Sequence, residues 1–143
     1  MKLISHRGNL NGPDPNKENT VEYILAAIYN EFDCEIDIWK IDDTLYLGHD
    51  QPDNIVSLSF LEKYNNKLWI HCKNVPALVF LKDTFNCFYH KDDEYTLTSK
   101  GYIWGNIHSY VDKNVIAVMP ELTNKCINNS AGICSDYIMN YTI

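Results

Sequence analysis

The sequence predicts an α/β protein built on a parallel sheet whose later strand-to-strand crossovers are shortened to loops. Short apolar runs alternate with helix-like segments in the first half of the chain and with bare loops in the second half. Alternation of strands and helices is typical of parallel sheets, because each crossover must return the chain to the same end of the sheet. At 143 residues the chain fits one domain, residues 1–143.

Three segments have the apolar spacing of short amphipathic helices. The first follows Asn19 and Thr20, either of which can cap a helix N-terminus, and the third follows Asn74. Pro76 is tolerated in the first turn of that third helix. The predicted helices are residues 21–30, 58–64 and 75–82.

Seven short apolar runs that end at turn signals are strand candidates. In the second run, Ile36 and Ile38 alternate with Glu35 and Asp37, so both carboxylates share the face opposite the isoleucines. The candidates are residues 2–5, 32–39, 67–73, 85–90, 102–104, 115–119 and 132–137, and residues 44–47 form a hairpin return. Breaks are expected at Pro52 and Asn54, and a loop over residues 96–101.

Composition excludes several classes of protein. The net charge of −7, with 12 basic against 19 acidic residues, argues against a nucleic-acid groove. No apolar run approaches the roughly 18 residues of a membrane span. The N-terminus lacks a signal-peptide pattern, so a cytoplasmic location is expected. Five cysteines without a C-x-x-C pair favour buried free thiols over disulfides or a zinc site.

Polar side chains follow the first strands, where chemistry can take place. Glu35 and Asp37 place two carboxylates on one strand face, which suits a hard divalent cation, although a solvated edge-strand face has the same pattern. His6 and His49 each close a strand. Two such histidines can serve as general acid and general base at a phosphorus centre, whereas a single strand histidine is usually only packed or exposed.

The order and spacing of four motifs resemble the glycerophosphodiester phosphodiesterase family, one of the phospholipase-C-like phosphodiesterase barrels that also include the sphingomyelinase D toxins. The motifs are His6-Arg7-Gly8, Glu18-Asn19-Thr20, Glu35-Ile36-Asp37 and Gly48-His49-Asp50. The resemblance implies a TIM-type barrel with its site at the carboxyl ends of the strands. It also implies that His6 and His49 are the acid/base pair, that Arg7 binds phosphate, and that Glu35 and Asp37 bind a divalent cation. Mg²⁺ is the first expectation for that cation, with Ca²⁺, Mn²⁺ and Zn²⁺ as alternatives.

The third strand departs from the family pattern, in which an acidic ligand is followed two positions later by a lysine. The lysine is present as Lys73 and is expected to bind substrate, but the acid is replaced by His71. Three outcomes are open: His71 binds the metal, water takes the position, or metal binding is weak. Trp104 is expected to form an apolar wall for the substrate alcohol, with core packing as the alternative.

The resemblance predicts metal-assisted hydrolysis of a glycerophosphodiester or a related small lipid-derived substrate. The alternatives are a phosphate-binding module of the same fold without turnover, and a purely structural domain. A TIM barrel typically takes about 250 residues, more than this chain has. We therefore expect either a reduced barrel with loops in place of the later helices, or a partner chain, such as a second copy, that covers exposed sheet.

Overall fold

Ten strands form one mixed sheet in the computed structural model, which describes residues 1–142. The strands are β1 (Lys2–His6), β2 (Asp33–Ile41), β3 (Thr44–Leu47), β4 (Asn54–Val56), β5 (Leu68–Cys72), β6 (Cys87–Phe88), β7 (Tyr95–Leu97), β8 (Ile103–Gly105), β9 (Val115–Val118) and β10 (Gly132–Ser135). The α-helices are α1 (Val21–Tyr29), α2 (Leu58–Lys63) and α3 (Val75–Leu81). One-turn 3-10 helices lie at Asn65–Lys67, Pro120–Leu122 and Ile138–Tyr141.

The central strands of the sheet pair in parallel, and three further strands are added to them by antiparallel pairing. Parallel pairing joins β6, β5, β2, β1, β10, β9 and β8 in that order. The antiparallel additions are β3 on β2, β4 on β3, and β7 on β8. The first third and the last third of the chain therefore meet in the middle of the sheet, where β1 lies between β2 and β10.

The prediction of a reduced TIM-type barrel is wrong. A TIM barrel closes a ring of parallel strands with a layer of helices outside it. Here three strands are antiparallel, and within residues 1–142 no ladder joins β6 to β8. The three α-helices have only nine, six and seven residues, and in the described part of the chain none follows β6. With too few crossover helices, the chain forms a small β-rich fold instead.

The predicted helices are present within about one residue of their expected ends. The side chain of Thr20 accepts a hydrogen bond from the Tyr23 amide at 3.3 Å, so Thr20 is the N-cap of α1. Asn74 caps α3 in the same way, at 3.0 Å from the Ala77 amide. Two short strands, β4 and β7, fall where breaks or a loop were expected. Within residues 1–142, no helix has both the length and the apolar character that a membrane crossing requires.

The helices cover one face of the sheet, and the opposite face, called here the inner face, has its own apolar layer. On the helix side, Ile36, Ile38 and Ile70 are fully buried against α1, α2 and α3. The inner layer consists of Ile4, Trp69, Phe88, Trp104, Ile116 and Cys134. The sheet is curved enough for the ring of Trp104 on β8 to lie 4.8 Å from that of Phe88 on β6. All five cysteines are free thiols, four of them buried.

Candidate functional site

The candidate site lies where the inner face meets the carboxyl ends of the parallel strands. Because side chains alternate along a strand, the residue two positions beyond an inner apolar residue lies on the same face. At four strand ends that residue is polar. The pairs are Ile4 and His6, Trp69 and His71, Phe88 and His90, and Cys134 and Asp136. Parallel pairing brings these ends to one edge, so polar groups from distant parts of the chain form one rim.

Glu35, Asp37 and His71 form a potential metal-ligand group on this rim. One ligand atom from each residue lies within 4.8 Å of the other two. The ladder between β2 and β5 places His71 directly opposite Asp37. Glu35 is 3 % exposed and Asp37 is fully buried, and Oε2 of Glu35 accepts no hydrogen bond within the described residues. A buried carboxylate oxygen without a hydrogen bond is costly, so this atom fits a site that receives a cation.

Asp37 also contacts the basic side chains of the rim. Its carboxylate lies 3.2 Å from Nε of Arg7, 3.2 Å from Nδ1 of His71 and 3.6 Å from Nζ of Lys73. Burial alone would raise the pKa of the Asp37 carboxyl, but these neighbours hold it well below its usual range. Burial and the charge of Asp37 raise the pKa of Glu35, whose cationic neighbours are farther away. The two carboxylates thus have different environments although they lie two residues apart.

His6 is held between two carboxylates. Its Nδ1 lies 2.7 Å from Oδ1 of Asp136, and its Nε2 lies 3.9 Å from Oε2 of Glu35. The side-chain amide of Asn9 donates to the same Asp136 oxygen at 2.7 Å and fixes that carboxylate. Burial alone would lower the pKa of His6, but the hydrogen bond with Asp136 and the charge of Glu35 together raise it. The Asp136 contact therefore orients the imidazole and favours its protonated form.

His49 lies on the other side of the pocket in a more open setting. It follows β3 and the turn residue Gly48, whose carbonyl accepts a hydrogen bond from Nε1 of Trp39 at 2.7 Å. Nδ1 of His49 lies 2.7 Å from Oδ1 of Asp50, but the Asp50 side chain is 92 % exposed. Burial and the positive charge of Arg7 lower the pKa of His49. The two histidines therefore differ in the partner that holds each ring.

The turn after β1 has a backbone that few residues can adopt. Arg7 has a φ of +56° and Gly8 a φ of +92°, both in the left-handed region. A Cβ on Gly8 would lie 2.9 Å from the Tyr23 ring and 3.0 Å from its carbonyl, so glycine is required for space as well as for conformation. Glu18 lies across the turn and contacts both Arg7, at 3.3 Å, and Asn9, at 2.9 Å. This network fixes the direction of the Arg7 side chain.

The predicted catalytic and substrate-binding residues line one pocket of about 480 Å³. His6, Arg7, His49, Lys73 and Trp104 all contribute to its wall. Trp104 is 5 % exposed, so it both lines the pocket and packs in the inner apolar layer. The structure therefore brings together all the residues that the sequence selected, while their catalytic and binding roles stay predictions.

Sequence reasoning gave too little weight to the residues that hold the site in place. Asp136 lies near the end of the last predicted strand, and in the structure it holds His6. Asn19 was considered as a helix cap and as part of one motif, but its side chain makes two hydrogen bonds with Asp37, at 2.9 and 3.0 Å. His90 ends the fourth predicted strand, and its ring lies 4.6 Å from that of His71. The strand alternation that located Asp37 could also have placed His90 and Asp136 on the inner face.

Comparison of the chain with family models, with curated proteins and with solved structures gives no match. The resemblance to the glycerophosphodiester phosphodiesterase family therefore stays a prediction that rests on the motifs.

Proposed function

We propose that this protein is a phosphoric diester hydrolase that acts on a glycerophosphodiester or a related lipid-derived substrate with the help of a divalent cation. One observation supports this proposal above all: His6, Arg7, His49 and Lys73 line one pocket together with the buried carboxylate Glu35. Hydrolysis of a phosphodiester requires positive charge at the non-bridging oxygens and proton transfer at the attacking and leaving oxygens. The pocket wall contains groups for both tasks.

The histidines carry the proton transfers in this proposal. One of His6 and His49 removes a proton from the nucleophile, which is water or a neighbouring substrate hydroxyl. The other gives a proton to the leaving alkoxide oxygen as the new phosphorus–oxygen bond forms and the old one breaks. Arg7 and Lys73 bind the non-bridging oxygens, and Trp104 is the apolar wall for the substrate alcohol.

Glu35, Asp37 and His71 are the proposed holders of the divalent cation, for which the sequence gives Mg²⁺ as the first expectation. A bound divalent cation supplies Lewis-acid stabilisation of the phosphoryl charge. The buried Oε2 of Glu35, which accepts no hydrogen bond within residues 1–142, supports this assignment.

A phosphate-binding module without turnover is the second candidate. It is favoured by the contacts of Asp37, whose charge is already balanced by Arg7 and Lys73 at 3.2 and 3.6 Å. A site neutralised by its own side chains attracts a cation less strongly, because each basic neighbour opposes the incoming charge.

An assay of diester hydrolysis separates the two candidates. Glycerophosphocholine and bis(p-nitrophenyl) phosphate are incubated with the protein and Mg²⁺, Mn²⁺ or Ca²⁺. Metal-dependent product release that disappears in both His6→Ala and His49→Ala supports the hydrolase. His108→Ala is the matched control, since His108 is exposed and outside the pocket wall. Full activity in both site variants would contradict the proposal, while absent turnover with retained binding of glycerophosphocholine would support the module.

We further propose that the protein is cytoplasmic. We also propose that it self-associates through exposed edges of its sheet. Strands β4 and β7 end the sheet, and Ile55 and Leu97 on them are 71 % and 70 % exposed. Exposed edges of this kind favour pairing with another strand. A sedimentation profile of a dimer at micromolar concentration is the expected result, and a monomeric profile would remove this part of the proposal.

A further inference from the structure

The orientation of the His71 ring bears on which cation the site accepts. Nε2 of His71 lies 3.4 Å from the backbone carbonyl oxygen of His90. A carbonyl oxygen can only accept a hydrogen bond, so an Nε2–H of His71 has its acceptor in place when Nδ1 binds a metal. The nitrogen lone pair is on Nδ1 in that tautomer. A histidine that binds a metal through one nitrogen commonly donates its other N–H to a backbone carbonyl or a carboxylate, as here.

The atoms that face Nδ1 are carboxylate oxygens. Nδ1 of His71 lies 3.2 Å from Oδ1 of Asp37, which also lies 3.6 Å from Nζ of Lys73. Oε2 of Glu35, on a residue that is 3 % exposed, accepts no hydrogen bond within residues 1–142. The two oxygens and the imidazole nitrogen lie within 4.8 Å of one another, close enough for one cation to contact all three.

The ring is also held firmly in this position. It stacks on Phe88 with a centroid distance of 5.1 Å and an interplanar angle of 13°, and it packs against His90 at 4.6 Å. Pairing of β5 with β2 fixes its backbone directly opposite Asp37. A ligand fixed by packing and by strand register loses little conformational entropy when it binds a metal.

From these contacts we infer that Nδ1 of His71 is a metal ligand and that the centre selects a borderline transition-metal ion, of the Mn²⁺, Co²⁺ or Zn²⁺ class, over Mg²⁺ and Ca²⁺. This inference refines the metal site of the proposed function and rests on that site. Mg²⁺ and Ca²⁺ prefer oxygen ligands and depend on carboxylate charge, which Arg7 and Lys73 partly neutralise here. An imidazole nitrogen instead binds transition-metal ions more strongly than it binds Mg²⁺ or Ca²⁺.

The test is metal binding measured without substrate. Protein freed of metal with a chelator is titrated calorimetrically with Mn²⁺, Co²⁺, Zn²⁺, Mg²⁺ and Ca²⁺. The Co²⁺ visible absorption spectrum gives an independent readout of nitrogen ligation. The variants are His71→Glu, which restores a third carboxylate, and His71→Gln, which removes the imidazole. His108→Gln is the control for adventitious binding by a histidine outside the group.

We expect the wild-type protein to bind Co²⁺ and Zn²⁺ at least about tenfold more tightly than Mg²⁺, and His71→Gln to lose about 10- to 100-fold of that affinity. His71→Glu should reverse the preference toward Mg²⁺ and Ca²⁺, while His108→Gln leaves binding unchanged. Equal affinity for Mg²⁺ in the wild type, or unchanged Co²⁺ binding in a folded His71→Gln variant, would overturn the inference. Absence of hydrolysis would count against the proposed function alone, because these titrations contain no substrate.

Discussion

Replacement of Asp136 by asparagine should lower the pKa of His6 and slow hydrolysis, with little change in substrate binding. The Asp136 carboxylate lies 2.7 Å from Nδ1 of His6, and the side chains of His6 and Asp136 are only 15 % and 13 % exposed. The substitution keeps the size of the side chain and an oxygen that can accept from His6. It removes the negative charge that favours the imidazolium, so the pKa of His6 must move downward.

The size of the effect follows from the type of hydrogen bond that is lost. A hydrogen bond to a charged group contributes about 1.5–3 kcal/mol, against about 0.5–1.5 kcal/mol for a neutral pair. The difference, of the order of 1–1.5 kcal/mol, corresponds to about a tenfold fall in kcat if His6 transfers a proton in the transition state. KM should stay close to the wild-type value, because Asp136 holds His6 rather than the phosphate.

The assay combines an NMR titration of the histidine ring protons with steady-state kinetics. The His6 resonance is the one missing from His6→Ala. Asp50→Asn is the matched control: Asp50 lies equally close to a histidine, at 2.7 Å from His49, but its side chain is 92 % exposed and solvent screens the pair. A pKa of His6 that is unchanged or higher in Asp136→Asn would refute the positioning role, even if activity falls.

Three further predictions concern stability. Gly8→Ala should lower the free energy of unfolding by roughly 1–3 kcal/mol, because the new Cβ would lie 2.9 Å from a ring atom of α1; Gly101→Ala, with a similar φ of +87° and open space around it, is the control and should lose less. Asn19→Ala should cost roughly 2–4 kcal/mol in urea unfolding, because it removes two hydrogen bonds with the buried Asp37; an unchanged midpoint would show that these bonds do not hold the site. Burial and a neighbouring imidazole lower the pKa of His90 to about 4, below the ordinary 6.5, so the folded state binds fewer protons than the unfolded state. Stability should therefore decline as pH falls from about 6.5 toward 4, and His90→Gln should reduce that slope.

Local patterns were sufficient to predict the helices and two of the three residues of the potential metal-ligand group. Thr20 and Asn74 begin helices because their side chains accept hydrogen bonds from the backbone three residues later, a contact that involves only neighbours in sequence. Alternation along β2 likewise places Glu35 and Asp37 on one face whatever the rest of the chain does. These features depend on a few adjacent residues, so the sequence alone is enough.

The features that were missed depend on contacts between distant segments. β4 exists because Asn54, Ile55 and Val56 pair with β3, although Asn54 reads as a break. β7 forms only as the antiparallel partner of β8. The error about the barrel has the same origin, since ring closure depends on the relation between β6 and β8. The hydrogen bond between His6 and Asp136 spans 130 positions and has no local signature.

The charges of the rim explain why the type of ligand atom, rather than net charge, should decide which metal cation the site binds. Glu35 and Asp37 bring two negative charges, and Arg7 and Lys73 bring two positive charges close to Asp37. These four charges sum to zero, so the pocket has no large electrostatic attraction for a hard cation. The remaining attraction comes from the ligand atoms themselves, which are the carboxylate oxygens and the imidazole nitrogen. A change at position 71 alone should therefore alter metal preference without disturbing the cationic groups proposed to hold the phosphate.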